Sequence, residues 1–310
     1  MSVIDVSVII VSYNSGHVLA DCLASLSASH PSVSYEIIVV DNHGADGVAE
    51  ILRTGYPEVR LISQPVNRGF AAGANTGLSA ARGRYCLLLN PDTLIIEDSL
   101  ALLVRFMNEH PQAGIAGCRL IASNGKPLVS FTRSIFRRLE TAQQDVGKVA
   151  WVTGAAMTLR AALLTDTGWL DEDFFFEGED ADYCVRAGKN DWEIWFTAIT
   201  SIVHLEGESC KRPDGRLYYQ RRRGDLKLLS LYGDIWQLLS WRIFNLCVTL
   251  LSLPFLSIAL LAGLSQERIR TDITQRLLGY LLVARMSLIP SVWLGFKRRT
   301  TRSTPVALQE

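Results

Sequence analysis

The chain has 310 residues, of which 48% are hydrophobic and 20% are charged. A chain of this size buries about three quarters of the surface that it exposes when unfolded, which excludes wholesale disorder, and its 23 scattered glycines and 10 prolines exclude collagen-like and low-complexity sequences. The 31 basic and 31 acidic residues cancel overall, but residues 1–204 carry 15 basic and 23 acidic residues whereas residues 205–310 carry 16 and 8. We therefore expect the two parts to have different partners.

The first third of the chain alternates between short apolar runs and amphipathic segments. Strands are predicted at 6–11, 37–40, 59–62 and 85–89, and helices at 18–26, 48–52, 70–81 and 100–107. Strands that alternate with helices of this length predict βαβ units and a mostly parallel sheet covered by helices. Ligands of such sheets bind at the carboxyl ends of the strands.

The pattern is mixed in the middle of the chain and helical towards its end. A hairpin turn is predicted at 123–126, a strand broken at Gly154 over 149–159, a helix that begins at residue 180, and short strands at 192–196 and 202–204. The sequence is helical in character from residue 218 onward. We expect an α/β domain over residues 1–232 and a helical region over residues 233–310.

The helical region contains two long apolar runs flanked by basic residues. The run 243–264 is long enough to span a bilayer, but Pro254 lies in its middle, and the run 277–296 carries Arg285, which is costly at a bilayer centre. These features favour a hairpin embedded in or lying along the cytoplasmic leaflet over a two-pass span. The expected partner is an anionic membrane surface and not a nucleic acid. Core helices, or a soluble protein with a basic tail, remain as alternatives.

Two features of the sequence predict a cytoplasmic location for the chain. Asp5 interrupts the first residues, and the run 6–11 continues into Ser12-Tyr13-Asn14 without the cationic start or cleavage site of a secretory signal. The six cysteines are far apart and form no C-x-x-C pair, which favours reduced thiols over disulfides or a zinc site. With the apolar region, these features predict a location at the cytoplasmic face of the inner (plasma) membrane, either peripheral or anchored by the hairpin.

Polar residues follow three of the predicted strands, namely Ser12-Tyr13-Asn14, Asp41-Asn42 and Asn90-Pro91-Asp92. A single such site is explained as well by a helix cap, but three of them along one edge of a sheet indicate a ligand site. Asn90 and Asp92 offer an amide and a carboxylate oxygen two positions apart, which suits Mg²⁺ or Mn²⁺ beside a diphosphate. The alternative is that this tripeptide only makes a turn.

Four acidic residues follow three aromatic residues in the segment 174–183. Acidic side chains at a helix N-terminus interact favourably with the helix dipole, which is one explanation. A carboxylate beside bulky aromatics is also the arrangement of a general base, which must reach an acceptor hydroxyl while shielded from water. We predict that Asp180 is this base and that Glu179 and Asp182 cap the helix or hold neighbours. His204 follows a short strand, and a lone histidine is more often structural than ligating.

Seven segments in sequence order resemble glycosyltransferase family 2, the inverting enzymes of the GT-A fold, and within it the rhamnosyltransferase-like bacterial members. The segments are VSVIIVSYN (6–14), IIVVDN (37–42), NRGFAAGANTG (67–77), LLLNPDT (87–93), WVTGAAM (151–157), FFFEGEDADYCVR (174–186) and IVH (202–204). The resemblance covers about residues 6–232. It implies a GT-A type α/β/α domain with a mostly parallel mixed sheet over residues 1–232, followed by the helical membrane-associated region.

The resemblance also implies roles for individual residues. A nucleoside-diphosphate sugar, with dTDP or UDP as its nucleotide and rhamnose as a candidate sugar, would lie near Ser12, Tyr13, Asn14, Asp41, Asn67, Gly69, Asn75 and Asn90. A divalent cation (Mg²⁺ or Mn²⁺) would be held by Asp92 and His204, the donor and acceptor pocket would include Gly154, Ala155 and Glu179, and Asp180 would be the catalytic base. Because Asn90 replaces the first acid of the family's D-x-D element, the cation site would carry one charge fewer.

The expected acceptor is a hydroxyl of a lipid-linked saccharide or polysaccharide in cell-surface glycan synthesis. Its phosphates, or anionic lipid head groups, would be held by the basic residues Lys211, Arg212, Arg221, Arg222 and Arg223. A nicotinamide dehydrogenase would share the alternating pattern, but SYNSG follows the first strand where that class has G-x-G-x-x-G. A noncatalytic nucleotide-sugar-binding scaffold of a glycan assembly complex would keep the strand-end residues without the base, and this alternative stays open.

Overall fold

A computed structural model describes residues 4–29, 31–132, 147–205, 215–262 and 267–289. The strands are β1 (Ile4–Ser12), β2 (Tyr35–Asp41), β3 (Arg60–Ser63), β4 (Gly83–Leu89), β5 (Thr93–Ile95), β6 (Ala113–Ile121), β7 (Phe131–Thr132), β8 (Gly147–Lys148), β9 (Trp151–Val152), β10 (Ala156–Arg160) and β11 (Glu193–His204). The helices are α1 (Gly16–Ala28), α2 (Val48–Gly55), α3 (Phe70–Ala80), α4 (Ser99–Glu109), α5 (Ala161–Thr167), α6 (Glu179–Lys189), α7 (Gly215–Tyr232), α8 (Ile235–Ala262) and α9 (Glu267–Leu288).

The described residues form two compact units. The sheet unit lies within Met1–Glu172 and Asp180–Ser209, and the helical unit lies within Asp173–Glu179 and Cys210–Thr300. The short segment 173–179 therefore belongs to the helical unit although sheet-unit residues precede and follow it in the sequence.

A mixed nine-stranded sheet forms the centre of the sheet unit as far as the structure describes it. Its strands lie in the order β3-β2-β1-β4-β10-β6-β11-β5, and β8 pairs with β11. β1 to β4 are parallel and β6 is parallel to β11, whereas β10 runs antiparallel to both β4 and β6. The carboxyl ends of β1, β2, β4 and β6 therefore share one edge, which we call the carboxyl edge. This arrangement confirms the mostly parallel mixed sheet that the sequence predicts.

Apolar residues fill both faces of this sheet. Val8 and Ile10 of β1 belong to the core shared with α1, α2 and α4, and Ile9 and Val11 belong to the core shared with α3, α5 and α6. Successive side chains of a strand point to opposite faces, so the unit is a three-layer α/β/α sandwich. Helix α3 lies very close to β1, because a Cβ atom on Gly77 would overlap the side chain of Ile9.

The strands that follow β6 differ in detail from the prediction. The strand expected over 149–159 is divided into β9 and β10, with Gly154 between them. The strands expected at 192–196 and 202–204 form one continuous strand, β11, whose register against β6 shifts near its middle. Such a bulge lets a long strand bend while it remains paired.

The helical unit consists of segment 173–179 and helices α7, α8 and α9. Helices α7 and α9 come into close contact at two glycines, since a Cβ atom on Gly215 would overlap the backbone of α9 beside Gly279. The rings of Tyr218 and Tyr280 pack edge to face across the same pair, 5.4 Å apart. This packing groups α7 with α8 and α9, whereas the sequence places the boundary after α7, at residue 232.

Helices α8 and α9 pack against each other. The predicted hairpin in the membrane stays a prediction, and the part of its second apolar run over 290–296 lies outside the described residues. Helix α8 is continuous through Pro254 and covers most of the first apolar run. In the part of the chain that the structure describes, α8 is the one helix that is long and apolar enough to cross a membrane.

Candidate active site

The carboxyl ends of β1 and β2 bring together three residues predicted to contact a nucleotide. The parallel register pairs Ser12 with Asp41, and Asp41 with Ser63 of β3. The side chain of Ser12 is completely buried, whereas Tyr13 is 46% exposed and Asp41 is half-buried. Tyr13 and Asp41 are therefore accessible at the carboxyl edge, whereas Ser12 lies beneath the surface next to them.

The loop after β2 is fastened to the start of α1. Asn14 has a left-handed backbone, with φ of 53°, and its Oδ1 accepts a hydrogen bond from the Ala45 N–H at 2.9 Å. Asp46 Oδ2 accepts one from the Gly16 N–H at 2.5 Å, at the N-terminus of α1, where a negative charge is favourable. Asp46 is not among the predicted site residues, although an acidic residue shortly after a strand end is a signal that points to such a position.

Asn42 holds the loop between β3 and α3. Its Nδ2 donates to Asn67 Oδ1 and to the Gly69 carbonyl, each at 3.0 Å, and its Oδ1 accepts the Arg68 N–H at 3.2 Å. Gly69 has φ of 90°, a conformation that favours glycine. Asn42 is buried and is missing from the predicted site, yet it fixes the two predicted residues Asn67 and Gly69 at the carboxyl edge.

Asn75 is buried and forms hydrogen bonds to other parts of the protein. It is 2% exposed, its Nδ2 donates to the Leu170 carbonyl at 3.0 Å and to Glu172 Oε1 at 3.1 Å, and its Oδ1 accepts the Leu170 N–H at 3.0 Å. Arg68 pairs with the same Glu172 at 2.6 Å. The amide of Asn75 thus ties residues 170–172 to α3. Its predicted position near the nucleotide stays a prediction.

Asn90, Asp92 and His204 converge beyond the ends of β4 and β11. His204 Nε2 lies 3.3 Å from Asp92 Oδ1 and 3.5 Å from Asn90 Nδ2. The antiparallel pairing of β11 with β5 places His204 opposite Thr93, and the Leu205 N–H donates to the Asp92 carbonyl at 2.9 Å. Strand pairing therefore brings together residues that are more than a hundred positions apart in the sequence.

The donor atoms of this group suit a divalent cation. Neighbouring ligands of an octahedral Mg²⁺ ion lie about 3 Å apart, which is close to the separation of the Asp92 and His204 atoms. Within the described residues, no group of three or more histidine, cysteine and acidic side chains is arranged around a point. A cation at Asp92 and His204 would thus take further ligands from a bound diphosphate and water, as Mg²⁺ commonly does.

Asp180 occupies the second position of α6 and is held by backbone groups. Its Oδ2 accepts the Gly154 N–H at 2.8 Å, and its Oδ1 accepts the Ala181 N–H at 2.7 Å. Burial raises the pKa of Asp180 above the ordinary value for aspartate, and these two hydrogen bonds oppose the shift in part. A carboxylate with a raised pKa and a fixed orientation is suited to accept a proton.

Asp180 and the Asn90–Asp92 turn lie on either side of the start of β10. The Asn90 N–H donates to the Ala155 carbonyl at 2.9 Å, and the preceding residue, Gly154, donates to Asp180. Two successive backbone units thus connect the candidate cation site to the candidate base. The predicted pocket residues Gly154 and Ala155 lie between the two.

Glu179 is the first residue of α6, directly before Asp180, and is 5% exposed. Its place in the donor and acceptor pocket stays a prediction. The basic residues expected to hold acceptor phosphates have partners where the structure describes them. Arg221 pairs with Glu177 at 2.6 Å, Arg222 with Asp225 at 3.0 Å, and Arg223 donates to the Asp173 carbonyl. Three of the five cations expected to hold acceptor phosphates therefore have partners within the helical unit, and Lys211 and Arg212 lie outside the described residues.

The chain is similar in sequence to known glycosyltransferases. The sequence profile of Glycosyl transferase family 2 matches residues 7–167, slightly more than half of the chain. The N-acetylglucosaminyl-diphospho-decaprenol L-rhamnosyltransferase of Mycobacterium tuberculosis is 24% identical over 268 residues, which cover 74% of this chain and 86% of that protein. The poly(ribitol-phosphate) beta-glucosyltransferase of Bacillus spizizenii is 29% identical over 167 residues, which cover 52% of this chain and 26% of that protein.

Solved structures show the same fold. TarS 1–349 of S. aureus in complex with UDP-GlcNAc is similar with a TM-score of 0.52 and 20% identity, covering 73% of this chain and 67% of that chain. GalNAc-T7 with UDP, GalNAc and Mn²⁺ gives a TM-score of 0.60 and 13% identity, covering 76% of this chain and 49% of that chain. These similarities confirm the GT-A type α/β/α fold.

Replacement of Asn42 tests its supporting role. Asn42→Ala removes three hydrogen bonds from a buried loop, and we expect a loss of about 1–3 kcal/mol in the free energy of unfolding, together with faster amide hydrogen exchange at residues 67–69. The matched control is Asn190→Ala, which removes one exposed bond to the Arg186 carbonyl. Equal urea midpoints and exchange rates for Asn42→Ala and the wild type would contradict the role.

Proposed function

The chain belongs to glycosyl transferase family 2, and from this premise we propose that it moves a sugar, with inversion, from a nucleoside-diphosphate donor to a hydroxyl of a lipid-linked or polysaccharide acceptor. One observation carries the proposal: the backbone at Gly154 and Ala155 bonds Asp180 on one side and Asn90 on the other. A base and a diphosphate site so connected are suited to act on one sugar ring.

The proposed reaction is a single displacement at the anomeric carbon. The acceptor oxygen forms a bond to that carbon while its proton passes to Asp180 Oδ2 or Oδ1, and the bond from the carbon to the diphosphate breaks with its electron pair on the diphosphate. The Gly154 and Ala181 N–H groups hold the carboxylate in place during the transfer. The raised pKa of Asp180 makes it a better proton acceptor once it is ionised.

The donor is proposed to lie along the carboxyl edge of the sheet. Tyr13 and Asp41 would contact the base, and the Asn67–Gly69 loop would approach the phosphates. Asp92 and His204 would hold a divalent cation, which stabilises negative charge on a departing diphosphate when it is bound. A GT-A relative crystallised with Mn²⁺ supports a cation of this type.

The sugar and acceptor are proposed from the relatives. A rhamnosyltransferase acting on a diphospho-decaprenol saccharide is similar over most of its own length, which supports a rhamnose donor and a lipid-diphosphate acceptor for this chain. UDP-GlcNAc bound to TarS supports UDP as the competing nucleotide. Nucleotide release from a panel of dTDP- and UDP-sugars, with and without Mn²⁺, decides between them. Binding without release would favour the noncatalytic scaffold.

Helix α8 supports a location at the cytoplasmic face of the membrane. Its outer side is apolar, with exposures of 65–74% for Trp236, Leu250, Leu251, Phe255 and Ile258. Its inward side combines the buried polar residues Asn245 and Thr249 with Leu238 and Trp241, which pack against α7 and α9. An exposed apolar side of this extent favours contact with lipid. The basic excess of residues 205–310 favours anionic lipids, and we propose that the hairpin lies in the cytoplasmic leaflet.

Loss of the base is expected to slow turnover without affecting donor binding. Asp180→Asn should lower kcat by about 10²–10⁴-fold. Because the base must be ionised, wild-type activity should fall as the pH falls through the raised pKa of Asp180, at a pH above the ordinary value of about 3.9, and this acidic limb should be absent in the variant. Turnover assays across pH measure both effects.

The control for this substitution is Asp191→Asn, an exposed residue with φ of 63° just beyond the other end of α6. Asparagine tolerates this left-handed backbone, so the control should retain both the rate and the acidic limb. A folded Asp180→Asn protein with wild-type kcat would refute the assignment of the base.

If Asp92 binds the cation, removal of its charge should lower the affinity for the metal, and removal of a nearby charge should not. Asp92→Asn keeps the shape of the side chain but removes its charge, and we expect Mn²⁺ affinity in the presence of UDP to fall by about tenfold or more, which corresponds to about 1.4 kcal/mol. Isothermal titration calorimetry measures the affinity directly. Asp98→Asn removes the same charge from a neighbouring exposed position and should leave the titration unchanged. Unchanged Mn²⁺ binding by Asp92→Asn would overturn the site.

The outer side of α8 predicts a loss of membrane binding when charge is introduced there. Burial of a leucine or phenylalanine side chain contributes about 1.5–3 kcal/mol, so Leu251→Glu and Phe255→Glu should each lower the partition of the full-length protein onto anionic vesicles by about tenfold or more. Vesicle flotation measures the partition. Thr274→Glu, on an exposed polar position of α9, is the matched control. Retention of both α8 variants on vesicles after a high-salt wash would contradict the proposal.

A further inference from the structure

Lys227 of α7 has a side chain with no exposed surface. A buried ammonium is unfavourable unless opposite charge or an aromatic face compensates for its lost hydration. Its Nζ lies 3.7 Å from Asp173 Oδ2 and 4.3 Å from the centre of the Phe174 ring. Phe174 is itself 1% exposed. The buried cation is therefore in contact with the first two residues of segment 173–179.

Helix α7 holds the same segment at three further points. Arg223 Nη1 donates to the Asp173 carbonyl, and Arg221 Nε donates to Glu177 Oε1 at 2.6 Å. Gly224 lies against the Glu177 carbonyl so closely that a Cβ atom there would overlap it. The contacts reach both ends of the segment, and they involve its backbone as well as its side chains.

The segment has a backbone path that it would not favour by itself. Glu177 has φ of 63° and Gly178 has φ of 100°, both in the left-handed region, which is unfavourable for glutamate. The contacts with α7 stabilise this path. The segment leads directly into α6, whose second residue is Asp180. The contacts of α7 that hold residues 173–178 therefore also set the point at which α6 begins.

We propose that Lys227 is a positioning residue, which fixes the segment leading into Asp180 through its contacts with Asp173 and Phe174. The proposal rests on the proposed function, in which Asp180 accepts the proton of the acceptor. A purely structural lysine would affect stability alone. A positioning lysine affects the step that needs Asp180 and leaves donor binding unchanged, because Tyr13 and Asp41 lie in the sheet unit.

The test compares turnover with donor affinity in the full-length protein. Lys227→Met fills a similar volume without a charge, and we expect kcat to fall about ten- to hundredfold, the scale of a misplaced catalytic group, with unchanged KM and calorimetric Kd for the nucleotide donor. Lys227→Arg keeps the charge and should retain most of kcat. Adding Asp173→Asn to Lys227→Met removes the carboxylate that faced the lysine, so it should restore stability without restoring kcat.

The matched control is Lys148→Met. Lys148 also pairs with a carboxylate, that of Glu193 at 2.5 Å, and lies 5.8 Å from the ring of Trp195, but its side chain is 62% exposed. Its replacement should change neither kcat nor KM. If Lys227→Met does not fold, Phe174→Leu is the second variant, because it preserves the ion pair while removing the aromatic face. It is expected to lower kcat and to leave KM unchanged.

The outcomes separate this proposal from the proposed function. Wild-type kcat in folded Lys227→Met, or an equal loss of kcat and donor affinity, would overturn the positioning role. In that case a large loss in Asp180→Asn would leave the proposed base intact. Conversely, wild-type turnover by Asp180→Asn would refute the proposed base whatever Lys227→Met shows, and the positioning proposal would be refuted with it.

Discussion

The start of β10 is the constraint on which the candidate site depends. Two successive residues there bond to the site on both sides, the Ala155 carbonyl to Asn90 and the Gly154 N–H to Asp180. The two residues directly precede β10, which is paired with both β4 and β6 and so anchors them at the centre of the sheet. Rigid placement of this kind lowers the reorganisation that a reaction would otherwise require.

The same backbone sets the chemical character of Asp180. Its surroundings raise its pKa by removing water, while the Gly154 and Ala181 N–H groups stabilise its ionised form. A carboxylate without these bonds would be a stronger base but would be ionised in a smaller fraction of molecules at a given pH.

The sequence predicts the sheet well wherever burial on both faces leaves an uninterrupted apolar run, as in β1, β2 and β4. It does not predict β6, because Gly114 and Gly117 interrupt the apolar pattern of that strand. In the structure these glycines make room for Trp192 and Val152, whose side chains a Cβ atom would overlap. Such contacts join distant parts of the chain, so no local pattern reveals them.

Among the site residues, those at strand ends could be predicted and those that support them could not. Asp92 is predicted because it follows a buried strand at the ligand-binding edge of a parallel sheet, and Asp180 because it follows three aromatic residues, although a turn and a helix dipole explain these acids as well. Asn42 is as important for the loop at Gly69, but a buried asparagine beside an aspartate gives no signal of its partners. The contact of His204 with Asp92 depends on the pairing of β11 with β5, which the sequence does not specify.

The helical unit is held together in a way that suits a lipid surface. Helices in lipid gain little from burying apolar surface against each other, because the lipid is equally apolar, and they associate through close packing and polar contacts. Helix α8 provides such contacts inward: Thr249 bonds to the Tyr280 carbonyl at 3.4 Å, and Arg242 bonds to the Ser287 carbonyl at 2.7 Å. These polar contacts hold α8 against α9 without relying on burial of apolar surface between them. Segment 173–179 belongs to the same unit, so the backbone that leads into Asp180 starts from residues held by helices of the helical unit.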